Sequence, residues 1–251
     1  MIHANAIDIA LLGGEFDDYK HTKNNHLDQV RYLADMKRIV KNALLAAVNV
    51  ENGLNDVVWF PFGMGDFMAG LVDRDPGFKG DDQKMKTLKV DLVKKMFEAF
   101  HEVKLVNPDL HLHICLLVSG KHSGTKMNYD AFVEVFGDET SVTIYPDADA
   151  FLLAQYMALE FKKPVAMLNG GNRWTVGNQW YGLNAWYAID ENIFRRSSRL
   201  AAVGFVLNHG TLPPGQRPLT LEQAVLQYGG KVRGYDSCSA TTSSTSGGLM
   251  A

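Results

Sequence analysis

The sequence predicts an α/β domain on a largely parallel sheet, and three observations carry that. Short β-branched runs alternate with longer stretches of helical periodicity. The short runs are nearly unbroken in apolar residues, as strands covered on both faces are. The chain, 251 residues with 46% hydrophobic content, is long enough to bury one large core, or at most two small ones.

"IDIALLGG" (7–14) reads as a first strand ending in glycines. Residues 27–48 then set Leu33, Met36, Val40, Ala43 and Ala47 at helical spacing. "DVVWF" (56–60) is the next strand, closed by Pro61 and the turn "FGMGD". Residues 82–104 give the cleanest helix, with Met85, Leu88, Leu92, Met96, Ala99 and Val103 on one face and lysines elsewhere. "LHLHICLLV" (110–118) and "SVTIYP" (141–146) are further strands. The helix at 147–163 opens with aspartates that suit capping and the helix dipole. "PVAMLN" (164–169) is a strand, followed by a glycine-bearing turn and a helix over 185–200. From Ser237 the chain reads "SCSATTSSTSGGLMA", too small and polar to pack, so the domain is expected over 1–236 and a disordered tail over 237–251.

Composition narrows the function classes. No apolar run is long enough for a membrane span, and "MIHANAIDIA" lacks the basic-then-apolar order of a signal peptide. A net charge of −3 with no basic stripe argues against a nucleic-acid binder. Cys115 lies in an apolar run and Cys238 in the polar tail, which fits free thiols in a reducing, cytoplasmic compartment.

Ligands of open α/β sheets bind beyond the carboxyl ends of the strands, and two glycine turns follow strands here. In "FPFGMGDF" (60–67), Gly63 and Gly65 bracket Met64, and Asp66 is placed to cap the segment after the turn. The second turn is "LNGGNRWTVGNQW" (168–180). Glycines let main-chain N–H groups approach a ligand closely, and two such cradles on neighbouring strands fit a diphosphate. For either turn alone chain reversal is the favoured explanation, and it is the pair together that shifts the balance. Phe60, Phe62 and Phe67 flank the first turn and Trp174, Trp180 and Tyr181 the second. They suit stacking on a base or ribose, or ordinary core packing.

At these residues the chain resembles macrodomains of the poly(ADP-ribose) glycohydrolase type. "PVAMLNGGNRWTVGNQWYGLNAWYAIDENIFRRSSRL" (164–200) is similar to that family's strand, Asn-containing turn, glycine loop, acid pair and Arg-Ser segment. Asn169 and Asn172 stand in the turn, Gly177, Asn178 and Gln179 in place of the triple glycine, and Ile189, Asp190 and Glu191 in place of Gln-Glu-Glu. "VRYLADMKRIVKNALLAAVNVENGLNDVVWFPFGMGDF" (30–67) is similar to the helix, strand and second phosphate loop. The order of the two halves is reversed relative to ordinary macrodomains, so the resemblance implies a circular permutation, an arrangement associated with effector proteins of intracellular bacteria. The Ser/Thr-rich tail suits a secretion signal, and delivery into a host-cell cytosol is implied with it.

The resemblance implies a three-layer fold, a mostly parallel mixed sheet with helices on both faces. It also implies an ADP-ribosyl hydrolase acting on protein-linked mono- or poly-ADP-ribose, with no metal and no cofactor, working as a monomer on an ADP-ribosylated protein. Gly63, Met64 and Gly65 would line the diphosphate, with Phe67 near the adenosine or distal ribose. Asn169, Asn172, Thr175, Val176, Gly177, Asn178, Gln179 and Trp180 would form the rest of the ligand wall. Glu191 would protonate the atom leaving the anomeric carbon, or act as the base that orients water, and Asp190 would hold a ribose hydroxyl or a water. The transition state is oxocarbenium-like and its leaving atom needs a proton, which a carboxyl with a raised pKa can give. General acid–base catalysis of this kind contributes roughly 10²–10⁴-fold. Without the resemblance, Glu191 and Arg195 would be an i,i+4 surface pair worth about 0.2–0.5 kcal/mol. Two other readings stand beside the hydrolase: a non-catalytic reader of ADP-ribose, and an unrelated nucleotide-binding α/β protein.

The remaining motifs read blandly. "SGKHSGTK" (119–126) lacks the glycine spacing of a Walker loop and is expected to be a mobile loop. His111 and His113 alternate on one strand face and have no evident partners for a metal. Asp147 and Asp149 suit adenine binding or helix capping, and "GGEFDDY" (13–19) a pocket wall.

Overall fold

The computed structural model describes residues 2–10, 15–49, 53–118 and 123–170, all within the compact unit Met1–Gly170. The expected boundary at 236/237 lies outside them. Five strands form one sheet in the order β1-β5-β2-β3-β4: β1 (Ile2–Ala4), β2 (Asp56–Trp59), β3 (His111–Leu116), β4 (Val142–Pro146) and β5 (Val165–Gly170). Every pairing among them is parallel. Between them run α1 (Phe16–Tyr19), α2 (Gln29–Val48), α3 (Asp66–Ala69), α4 (Leu71–Arg74), α5 (Asp82–Lys104), α6 (Ser123–Phe136) and α7 (Ala150–Glu160). The fold is α/β, as the alternation of periods implies.

The core follows from strand alternation. Val57 and Trp59 on β2, Leu112, Ile114 and Leu116 on β3, and Ala166 and Leu168 on β5 join one buried cluster. The stripes of α2 (Met36, Val40, Ala43) and α5 (Leu92, Met96, Ala99) belong to the same cluster, with Phe132 of α6. The helices cross-brace one another, α2 on α5 and α5 on α6, whereas α7 packs on β5 and β2. Helix starts carry the expected caps. The Asp28 carboxylate accepts from Arg31 N, that of Asp81 from Lys84 N, and that of Asp149 from Phe151 N and Leu152 N.

Two expectations are corrected. The first strand is Ile2–Ala4, paired with β5 through Ile2 opposite Leu168, and not 7–14. Ile7 and Ile9 are buried without a ladder, so their apolar run reflects core filling, and residues 11–14 lie outside the described ones. The segment expected as a loop at 119–126 is in part helix, since α6 begins at Ser123. Its apolar positions Ala131, Phe132 and Phe136 reach the core at helical spacing.

Candidate functional site

β2 and β5 are hydrogen-bonded neighbours running the same way, with Asp56, Val57 and Val58 opposite Val165, Ala166 and Met167. Their carboxyl ends therefore lie side by side on one sheet edge. A Cβ placed on Gly170, the last residue of β5, would lie 2.9 Å from the Phe60 ring at the end of β2. The 60–67 loop starts at that point.

Each residue of the loop has a distinct environment. Gly63 has φ +75°, and a Cβ there would crowd Ala6 and Met36 at 3.0 Å. Glycine at this position is required by the turn and the core beneath it. Met64 is buried and accepts at its carbonyl while donating its N–H to Pro61 O. Gly65 is exposed, and a Cβ there would meet no atom of the described residues within 4 Å. Gly65, not Asp66, occupies the cap position of α3. Phe62 is fully buried, making edge contacts with Trp59 and Phe60, so it serves the core and has no face for a base. Phe60 and Phe67 are partly buried against the same core.

Beneath the loop lies a residue that pattern reading passes over. The Lys89 ammonium, 4% exposed, donates to Met64 O at 3.1 Å, to Asn128 Oδ1 at 2.5 Å and more distantly to Gly124 O at 3.5 Å. The Asn128 amide also reaches Met64 O at 3.5 Å. Burial pushes the Lys89 pKa down to about 8, because none of the partners is anionic. Its signal in the sequence is positional: Lys89 is four residues after Met85 and three before Leu92, inside the apolar stripe of α5.

Of the other residues singled out, Asn169 lies within β5, fully buried, rather than in the turn that follows it. Asn172, Thr175, Val176, Gly177, Asn178, Gln179, Trp180, Asp190 and Glu191 lie outside the described residues, as do Trp174, Tyr181 and Cys238. Cys115 is a buried free thiol whose pKa burial raises to about 12, so it is an inert one. Asp149 caps α7, and Asp147 accepts from Val118 N at 2.8 Å; both carboxylates thus have structural work.

The second face of the sheet carries a polar chain. His113 bonds Asp56 Oδ1 through Nε2 at 2.9 Å and Tyr145 through Nδ1 at 3.1 Å, while His111 Nε2 meets Thr143 at 2.8 Å. The alternation of His111 and His113 is thus answered by cross-strand partners. Among the described residues no three His, Cys, Asp or Glu side chains converge as a metal site, and no helix is long and apolar enough to cross a membrane. No protein-family model, curated protein or solved structure matches the chain.

Proposed function

We propose that the chain is an ADP-ribosyl hydrolase that cleaves the glycosidic bond of protein-linked mono- or poly-ADP-ribose. The observation that carries the reading is the parallel pairing of β2 with β5. It starts the 60–67 loop and the chain leaving Gly170 from adjacent points on one sheet edge, where ligands of α/β sheets bind. The exposed Gly65, with no described residue occupying its Cβ direction, supports close approach of a diphosphate to the main chain there. The resemblance assigns the acid/base role to Glu191, helped by Asp190, and extends the ligand wall over 172–180. No metal or cofactor enters this reaction.

A three-layer arrangement belongs to the same proposal. The connections from β1 to β2, β2 to β3 and β3 to β4 step one way along the sheet, and that from β4 to β5 steps back. Right-handed crossovers then put α7 on the face opposite α2, α5 and α6. A second reading, a reader that binds ADP-ribose without cleaving it, is favoured by the substitution of Asn178 and Gln179 for two loop glycines and by the shorter Asp190.

Calorimetric titration with ADP-ribose tests both readings, which expect saturable binding; no heat and no thermal shift would remove both. Release of ADP-ribose from modified proteins separates them. The hydrolase reading expects release by the wild type and its loss, by about 10²-fold or more, in Glu191→Ala. Equal release from the two proteins leaves the reader.

A further inference from the structure

We infer that Lys89 is a positioning residue for an anionic, phosphoryl-bearing ligand at Gly65: its ammonium holds the Met64 carbonyl turned into the protein, which aims the Gly65 N–H outward, and its charge is left for that ligand to neutralise. The ligand's identity as the diphosphate of ADP-ribose rests on the proposed function; the geometry does not.

The orientation follows from peptide planarity. In a trans peptide the C=O and the following N–H point in opposite directions, and the described chain has no cis bond. Lys89 Nζ and Asn128 Nδ2 both hold Met64 O from the buried side, so the N–H of Gly65 points the other way. That N–H donates to no acceptor among the described residues. No described residue stands in the Cβ direction of the same glycine. A bare main-chain donor is thus presented at the carboxyl edge of the sheet, one peptide unit from a buried ammonium.

The charge argument is independent. An ammonium nine-tenths withdrawn from water is costly unless a carboxylate accompanies it, and among the described residues Lys89 has two main-chain carbonyls and an amide as its acceptors. Asn128 occupies the place where an aspartate of the same shape would cancel the charge. The amide keeps the brace and leaves the cation uncompensated; an anion accepting from Gly65 N–H would make a charge-assisted bond to that N–H and meet the field of the ammonium across one peptide unit.

Titrations with inorganic pyrophosphate and with ADP-ribose test this on the full chain, comparing wild type, Asn128→Asp and Lys89→Met. Asn128→Asp preserves shape and hydrogen bonding while placing a carboxylate on the ammonium. The expected result is a melt at or above that of wild type, with both ligands bound at least tenfold more weakly. Lys89→Met is expected to lose at least as much, and the Gly65 amide signal is expected to shift when pyrophosphate is added to wild type. A role as a mere tie between helices would leave Asn128→Asp binding within twofold of wild type, and that result overturns the inference. Should Asn128→Asp not fold, Lys89→Gln removes the charge with one donor kept, and the same tenfold criterion applies. Wild type binding pyrophosphate but not ADP-ribose keeps Lys89 in its role and sinks the hydrolase and reader readings. ADP-ribose bound equally by wild type and variants does the reverse, and binding of neither probe ends both.

Discussion

Asp75 and Lys89 are both buried ionisable side chains of this unit, 1% and 4% exposed, and they are accommodated in opposite ways. Asp75 accepts from Leu27 N at 2.8 Å, from Gly77 N at 2.7 Å and bonds His26 Nδ1 at 2.6 Å. Burial raises its pKa, but the two main-chain donors and His26 outweigh that, and the carboxyl titrates below its ordinary value. Lys89 has neutral acceptors only, and burial takes its pKa down to about 8. A buried charge fully met by donors is a structural staple that ties Leu27 to the turn at Gly77. One met by neutral groups alone retains electrostatic capacity. The contrast separates a residue that holds the fold from a residue that serves a ligand.

The largest effect is expected at Asp75. Asp75→Ala removes the acceptor of the buried Leu27 N–H and the part-buried Gly77 N–H and unpairs His26, and should lower stability by about 3 kcal/mol. That corresponds to a fall in melting temperature of roughly 6–12 °C for a unit of this size. Pyrophosphate affinity of the folded protein should be unchanged. Because the native carboxyl titrates below its unfolded value, its contribution is complete above about pH 4 and fades as pH drops through the native pKa. A variant that melts with wild type would erase the distinction between the two buried charges.

At Lys89 the pH dependence runs on the alkaline side. The native pKa of about 8 lies below the ordinary 10.5, so between those values the unfolded chain holds a proton that the native protein has released. Stability contributed by this residue therefore rises as pH goes from 8 to 10.5, and below pH 8 the buried charge is carried as a constant cost. Relative to Lys89→Met, wild type should gain on the order of 3 kcal/mol across that window, measured by urea unfolding at each pH. A flat difference would mean that the ammonium is solvated or paired after all.

How much of the molecule is legible in the sequence divides along the same line. Periodicity locates α5 to the residue at both ends, because its apolar stripe and the acids at its start act locally. It places β2 through β5 within a residue or two for the same reason. It fails at β1, where Ile7 and Ile9 look like a strand yet are buried in irregular chain, while Ile2 pairs with Leu168 across nearly the whole described sequence. Turn chemistry obscures α6, whose first residues Ser123, Gly124 and Thr125 are poor helix formers. At the site, the glycines of the 60–67 loop are visible, but not that Gly63 serves the core and Gly65 faces outward. Lys89 reads as one of the solvated lysines of α5, since its partners Met64 and Asn128 are 25 and 39 residues away. Only its position within the apolar stripe marks it, and of the Asp56–His113–Tyr145 chain only His113 is visible, through its alternation with His111, because its partners are 57 and 32 residues away.

The two glycines give the smallest expected effects on stability and the sharpest test of which part of the loop meets the ligand. Gly63→Ala forces a side chain into the left-handed region at φ +75° and against Ala6 and Met36 at 3.0 Å, so it should cost about 1–2 kcal/mol. Its effect on pyrophosphate affinity should be no larger than loop distortion produces. Gly65→Ala has φ −95° and open space for its methyl, and its stability should stay within about 0.5 kcal/mol of wild type. The methyl nevertheless stands where a phosphoryl oxygen would approach the outward N–H, so affinity should fall about tenfold while the melting curve does not move. If Gly65→Ala binds as wild type does while Gly63→Ala does not, the loop contacts its ligand through a different atom, and the outward N–H at Gly65 has no part in binding.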